Sequence, residues 1–176
     1  GNFTDKIIWG STNHDFSSSG MTEADLNQDG LPDLVFTNGD GFGPTLKPGP
    51  RPWHGIQWLE NKGDGSFIYG RIGDLAGAYS PVVRDIDHDG DLDILSVSAF
   101  NDWENPKADS LVWFRNDGDR GFTKVTLAYE PIQLLSIDFA DLDGDGTGEI
   151  ISGCFPSFPP YDRTSRFTIW KETAKR

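Results

Sequence analysis

Cysteine is almost absent: Cys154 stands alone in 176 residues, so no disulfide can form within the chain. If the protein works outside the cell, something other than cystine must staple it. Long apolar runs are missing too, the longest being a few residues, which excludes a transmembrane helix. The opening residues show no basic stretch followed by an apolar one, so any secretory signal is expected to have been removed or left out. Lys and Arg are scarce, 15 against 28 Asp and Glu, giving a net charge of -13. Such a field repels phosphate backbones and anionic lipid, and no basic patch offsets it. Nucleic-acid binding and direct membrane insertion are therefore excluded as expected functions.

Catalytic signatures are equally thin. No Gly-x-Ser-x-Gly elbow or phosphate-cradling glycine loop occurs. His14, His54 and His88 are scattered, with no pair at metal-ligand spacing. Cys154 has no evident His partner and reads as a small packing residue. What the chain does have is 21 Gly and 11 Pro between short runs rich in Val, Ile, Phe and Trp. That is the look of strands bounded by turns, and it predicts an all-β protein with little or no helix.

An internal repeat organises the chain. Asp25-Leu-Asn27-Gln-Asp29-Gly30-Leu31-Pro-Asp33 recurs as Asp85-Ile-Asp87-His88-Asp89-Gly90-Asp91-Leu-Asp93 and as Asp141-Leu-Asp143-Gly-Asp145-Gly146-Thr147-Gly-Glu149. A β-type run follows each copy. Ile56-Gln-Trp58, Leu111-Val-Trp113 and Phe167-Thr-Ile169-Trp170 form a second element in phase with the first, and Gly-rich segments ending in Phe67 and Phe122 form a third. Missing such a period would misread the whole fold.

The nine-residue element has the chemistry of a hard-cation site. Side-chain oxygens at positions 1, 3 and 5 of a tight turn converge, Gly at position 6 permits the bend, the carbonyl of position 7 (Leu31, Asp91, Thr147) can turn inward, and position 9 closes the shell. An oxygen cage of about six to eight ligands suits Ca²⁺ better than Mg²⁺. An EF-hand begins the same way but needs Glu at position 12 and flanking helices. Position 12 is Phe36, Ser96 and Ser152, and the flanks are strand-like, so that reading fails.

These loops, with Asn61-Lys-Gly63-Asp-Gly65-Ser-Phe67, resemble FG-GAP/VCBS repeats, the blade units of Ca²⁺-loaded β-propellers such as the integrin α head. The resemblance implies four-stranded antiparallel blades whose metal loop joins the innermost strand to the next. Up to three structural Ca²⁺ ions are expected, with Asn27 and Glu149 departing from the pattern. Strands are predicted at 19–25, 32–38, 55–61 and 66–72, then 80–85, 92–98, 110–116 and 121–127, then 133–141, 149–153 and 166–172. Residues 16–73, 74–128 and 129–176 become blades 1 to 3, the last lacking its outer strand. Residues 1–15 are expected to supply the outer strand of a preceding blade, over Phe3 to Trp9. Three blades cannot close a ring. The chain is expected to be the C-terminal part of a larger, seven-bladed propeller, or to assemble with another copy of itself.

The long connections at 38–54, 100–107 and 154–163 share an aromatic and polar character. Trp53, His54, Phe100, Trp103, Phe158, Tyr161 and Arg163 are the candidates for contact with a protein or carbohydrate ligand. The alternative is that these aromatics fold back over the blade ends. The function expected is a non-catalytic, Ca²⁺-stabilised binding module at an extracellular, cell-surface or periplasmic location. The competing class is a metal-dependent sugar-acting enzyme in which His54 or Arg163 assists.

Overall fold

The structure, a computed structural model, describes residues 1–42 and 49–172. Part of the first long connection, 43–48, lies outside the described residues. Eleven strands follow in chain order: β1 (Gly20–Ala24), β2 (Asp33–Thr37), β3 (Gly55–Asn61), β4 (Phe67–Asp74), β5 (Ala78–Arg84), β6 (Asp93–Ser98), β7 (Leu111–Asn116), β8 (Phe122–Ala128), β9 (Leu134–Ala140), β10 (Glu149–Cys154) and β11 (Phe167–Trp170). They form three antiparallel meanders, β1-β2-β3-β4, β5-β6-β7-β8 and β9-β10-β11, with no helix among the described residues. Each lies within a few residues of its predicted span. β6 is buried along its whole length and β2 nearly so, which is why their apolar runs do not alternate.

The first strands of successive sheets, β1, β5 and β9, pack against one another, whereas β4 and β8 barely meet. The sheets therefore fan out from a shared inner edge, as blades do. Val35, Ile56 and Trp58 of the first sheet meet Val83, Ile94, Val112 and Phe114 of the second. Val97 and Leu111 of the second meet Leu134, Ile137, Ile150 and Trp170 of the third. Ile56, Ile94, Leu111 and Leu134 are completely buried, and each such side chain contributes about 1.5–3 kcal/mol.

Register separates the tryptophans. Val35 pairs with Trp58 and Leu95 with Trp113, but the matching pair in the third sheet is Ile151 and Ile169. Trp170 comes one residue later, so it points to the opposite face, into the contact with the second sheet. The other face of the third sheet is bare: Phe167 is 80% and Ile169 55% exposed, at positions that are buried in the first two sheets apart from the half-buried Trp113.

The strand expected at Phe3 to Trp9 does not form. Phe3 and Ile7 are almost fully exposed, because no neighbouring ladder lies alongside them to reward an extended backbone. Trp9 instead stacks on Tyr69 of β4, with ring centroids 5.0 Å apart, and lies 5.7 Å from the Phe36 ring. With Ile8 and Phe16 it borders an apolar cavity of about 360 Å³ over Leu34, Phe36 and Leu59 on the outer face of the first sheet.

Candidate metal centres

Each nine-residue loop joins the first strand of a sheet to the second, and backbone geometry makes the three alike. Position 4 adopts positive φ in every copy (Gln28 56°, His88 62°, Gly144 78°), as does position 6 (Gly30 87°, Gly90 100°, Gly146 89°). Glycine at position 6 is the residue that adopts this conformation without a Cβ clash. The position 1 carboxylate then receives the position 6 N–H: Gly30 N donates to Asp25 Oδ2 at 2.9 Å, Gly90 N to Asp85 Oδ2 at 3.2 Å, and Gly146 N to Asp141 Oδ2 at 3.0 Å. Position 5 turns back on its own loop. Asp29, Asp89 and Asp145 each accept the N–H of position 7, from Leu31, Asp91 and Thr147, at 2.9, 2.9 and 2.8 Å.

Position 9 opens the second strand and is buried in all three copies, Asp33 and Asp93 completely and Glu149 to 98%. Asn61 N donates to Asp33 Oδ1 at 2.8 Å and Asn116 N to Asp93 Oδ1 at 2.7 Å, both from the end of the third strand. In the third loop Leu142 N donates to Glu149 Oε2 at 2.8 Å. Burial pushes the Asp33 and Asp93 carboxyls above their usual range, and these N–H groups oppose the shift only in part. A buried carboxylate whose charge is disfavoured by its surroundings calls for a cation.

In loop 2, oxygens of Asp85, Asp87 and Asp93 lie within 4.8 Å of one another, and in loop 3 those of Asp141, Asp143 and Glu149 do the same. Ligands on opposite sides of one Ca²⁺ are about 4.6–5.2 Å apart, twice the metal–oxygen distance, so each trio can touch a single ion. Asp89 and Asp145 stand outside these trios. Loop 1 carries Asn27 where the others carry Asp, and Asn27 Nδ2 donates to Asp29 Oδ2 at 3.1 Å and Glu60 Oε1 at 3.3 Å. Among the described residues two buried carboxylate oxygens have no partner, Asp33 Oδ2 in loop 1 and Asp85 Oδ1 in loop 2. Such orphans are costly unless a cation satisfies them. The residues fit the ion.

Residues 25–96 match the FG-GAP-like repeat. The match runs from the first residue of loop 1 into β6 and spans both orphaned oxygens. Loop 3 lies beyond it but repeats the positive φ angles of positions 4 and 6. No curated protein matches the chain.

Across the three sheets the long connections do gather, yet mostly onto one another. Phe42, Phe100 and Phe158, one from each connection, form a row: Phe42 meets Phe100 edge-on at 4.8 Å, and Phe100 stacks on Phe158 at 5.8 Å. Trp103 packs with Ala108, Ile132 and Phe158. Phe100 and Trp103 are buried, so the expectation that they face a ligand is corrected: the loops close over their own aromatics. Trp53, Phe158 and Arg163 are half-buried, and only Tyr161 of the seven candidates is exposed, at 57%. Arg163 is occupied as well, donating to the Trp103 carbonyl at 2.9 Å and pairing with Glu130.

His54 is likewise interior, 2% exposed. Its Nδ1 accepts Gly77 N at 3.0 Å and Arg51 N at 3.3 Å, and its Nε2–H faces the Asp40 carbonyl at 3.0 Å. The ring thus ties the first long connection to the start of the second sheet. Burial lowers its pKa to about 4, with the charges of Arg51 and Arg71 adding to that effect and Asp40 opposing it. The unfolded chain therefore takes up this proton first as pH falls. Stability should be full above pH 6.5 and decline by about 3 kcal/mol as pH drops to about 4. Urea unfolding in Ca²⁺-free buffer across that window tests this. His54→Gln should remove this component of the slope, and an identical slope in the variant would refute it.

Proposed function

We propose that residues 16–73, 74–128 and 129–176 are successive blades of a Ca²⁺-stabilised β-propeller, seven-bladed when complete. It works outside the cytoplasm as a non-catalytic binding module for a protein or carbohydrate. The observation that carries this reading is the convergence of positions 1, 3 and 9 in loops 2 and 3 around buried carboxylates, in a chain with an FG-GAP-like repeat. The ions are structural: each loop ties the end of a first strand to the start of a second, and millimolar extracellular Ca²⁺ suits open loops of this type. No helix is long and apolar enough to cross a membrane among the described residues.

The bare face of the third sheet supports the propeller context. Phe167 and Ile169 occupy the positions of Ile56 and Trp58, which in the first sheet pack against the second. A further blade fits there, from a longer chain or from a second copy. Ligand contact falls to the exposed side chains of the last connection, Tyr161 and Phe155, which are 57% and 56% exposed.

Calorimetric titration of the whole chain with Ca²⁺ tests the reading. At least two ions should bind, Asp93→Asn and Asp33→Asn should each remove one, and Mg²⁺ at equal concentration should not replace them. A chain that takes up no Ca²⁺ at millimolar concentration would overturn it.

A further inference from the structure

The three loops differ in what the third strand brings to them. Leu34 pairs with Leu59, Ile94 with Phe114 and Ile150 with Trp170, so the next residues, Glu60, Arg115 and Lys171, hold equivalent places. Glu60 faces Asn27, the neutral member of position 3. Arg115 is held off its loop by Asp117, with Nε donating at 2.9 Å and Nη2 at 2.8 Å. Lys171 alone enters its loop: its ammonium contacts Asp143 Oδ2 and lies 3.1 Å from Glu149 Oε1.

Asp143 and Glu149 are two of the three residues whose oxygens converge in loop 3. The Lys171 nitrogen therefore sits where a metal ion would draw its ligands. A further observation agrees. The buried carboxylate oxygens without partners fall in loops 1 and 2, whereas none is found in loop 3 among the described residues.

We propose that the Lys171 ammonium is the resident cation of the third loop, and that Ca²⁺ enters this loop only by displacing it. This rests on the calcium reading of loops 1 and 2. The three FG-GAP-like loops are then not equivalent. Loops 1 and 2 depend on the ion, whereas loop 3 carries a tethered positive charge and stays ordered at low Ca²⁺. A tethered amine competes at high effective concentration, which weakens the third site without preventing its filling at high Ca²⁺.

The test uses the full chain and Lys171→Met, which keeps the aliphatic stem, with Lys171→Gln as a second variant. Lys171 is 56% exposed, so neither substitution opens a cavity. Calcium titration should show a third site at least tenfold tighter in both variants than in the wild type. Hydrogen exchange in EGTA supplies a readout that needs no calcium. The amides of Gly144, Gly146 and Thr147, each bonded to a loop 3 carboxylate, should exchange at least tenfold faster in Lys171→Met. Unchanged exchange in EGTA together with an unchanged third site overturns the proposal. Faster exchange in a chain that binds no Ca²⁺ at any loop overturns the calcium reading instead, leaving Lys171 as the counter-ion of loop 3.

Discussion

Excess EGTA is expected to lower the melting temperature by roughly 10–20 °C from its value at a Ca²⁺ concentration about 100 times Kd. Each bound ion that the unfolded chain does not hold adds about 2.7 kcal/mol under those conditions, so loops 1 and 2 together contribute about 5 kcal/mol. For a domain of this length each kcal/mol moves the midpoint by about 2–4 °C. Loop 3 is left out of the sum because Lys171 already lies against Asp143 and Glu149. Asp87→Asn isolates one loop. Asp87 is exposed and belongs to the loop 2 trio, so its charge matters to the ion far more than to packing. The variant should melt roughly 5–10 °C lower than wild type in Ca²⁺. In EGTA it should melt at the same temperature or slightly higher, since repulsion among the clustered carboxylates is relieved. Coincident wild-type curves with and without Ca²⁺ would refute a structural role for the ion.

The acidic loops and the strands around them were legible because their determinants are local. Position 1, the glycine of position 6 and position 9 act within one turn, and three copies in phase mark them out, down to the burial of Asp33, Asp93 and Glu149. Lys171 was not legible. It lies far along the chain from Asp143, and only the pairing of Ile150 with Trp170 puts it beside the loop. A slip of one residue would have turned it to the other face. The same rule hid Trp170, whose indole sits one place off the positions of Trp58 and Trp113 and so packs on the opposite side. The aromatic connections failed for a different reason. Phe42, Phe100 and Phe158 come from three separate connections, and no local pattern distinguishes a ring that stacks on a distant ring from one that waits for a ligand.

Trp103→Ala should destabilise the protein by about 3–5 kcal/mol, a fall of roughly 6–20 °C in melting temperature. The indole is 4% exposed and fills the space between Ala108, Ile132 and Phe158. Among the described residues its Nε1 has no hydrogen-bond partner, so the substitution removes packing and leaves no donor or acceptor stranded. The bond from Arg163 goes to the Trp103 backbone carbonyl and survives. The loss is therefore that of a cavity, and Trp103→Phe should recover most of it because a ring still fills the gap. Tyr161→Ala provides the contrast among the long connections. That side chain is 57% exposed, and its removal should change stability by no more than about 0.5 kcal/mol. If the connections meet a ligand, Tyr161→Ala should weaken its binding at unchanged melting temperature. Thermal melts of the three variants decide the matter. A Trp103→Ala protein as stable as wild type would mean that the indole is free to leave the loop and that ring contact with a ligand must be restored to it.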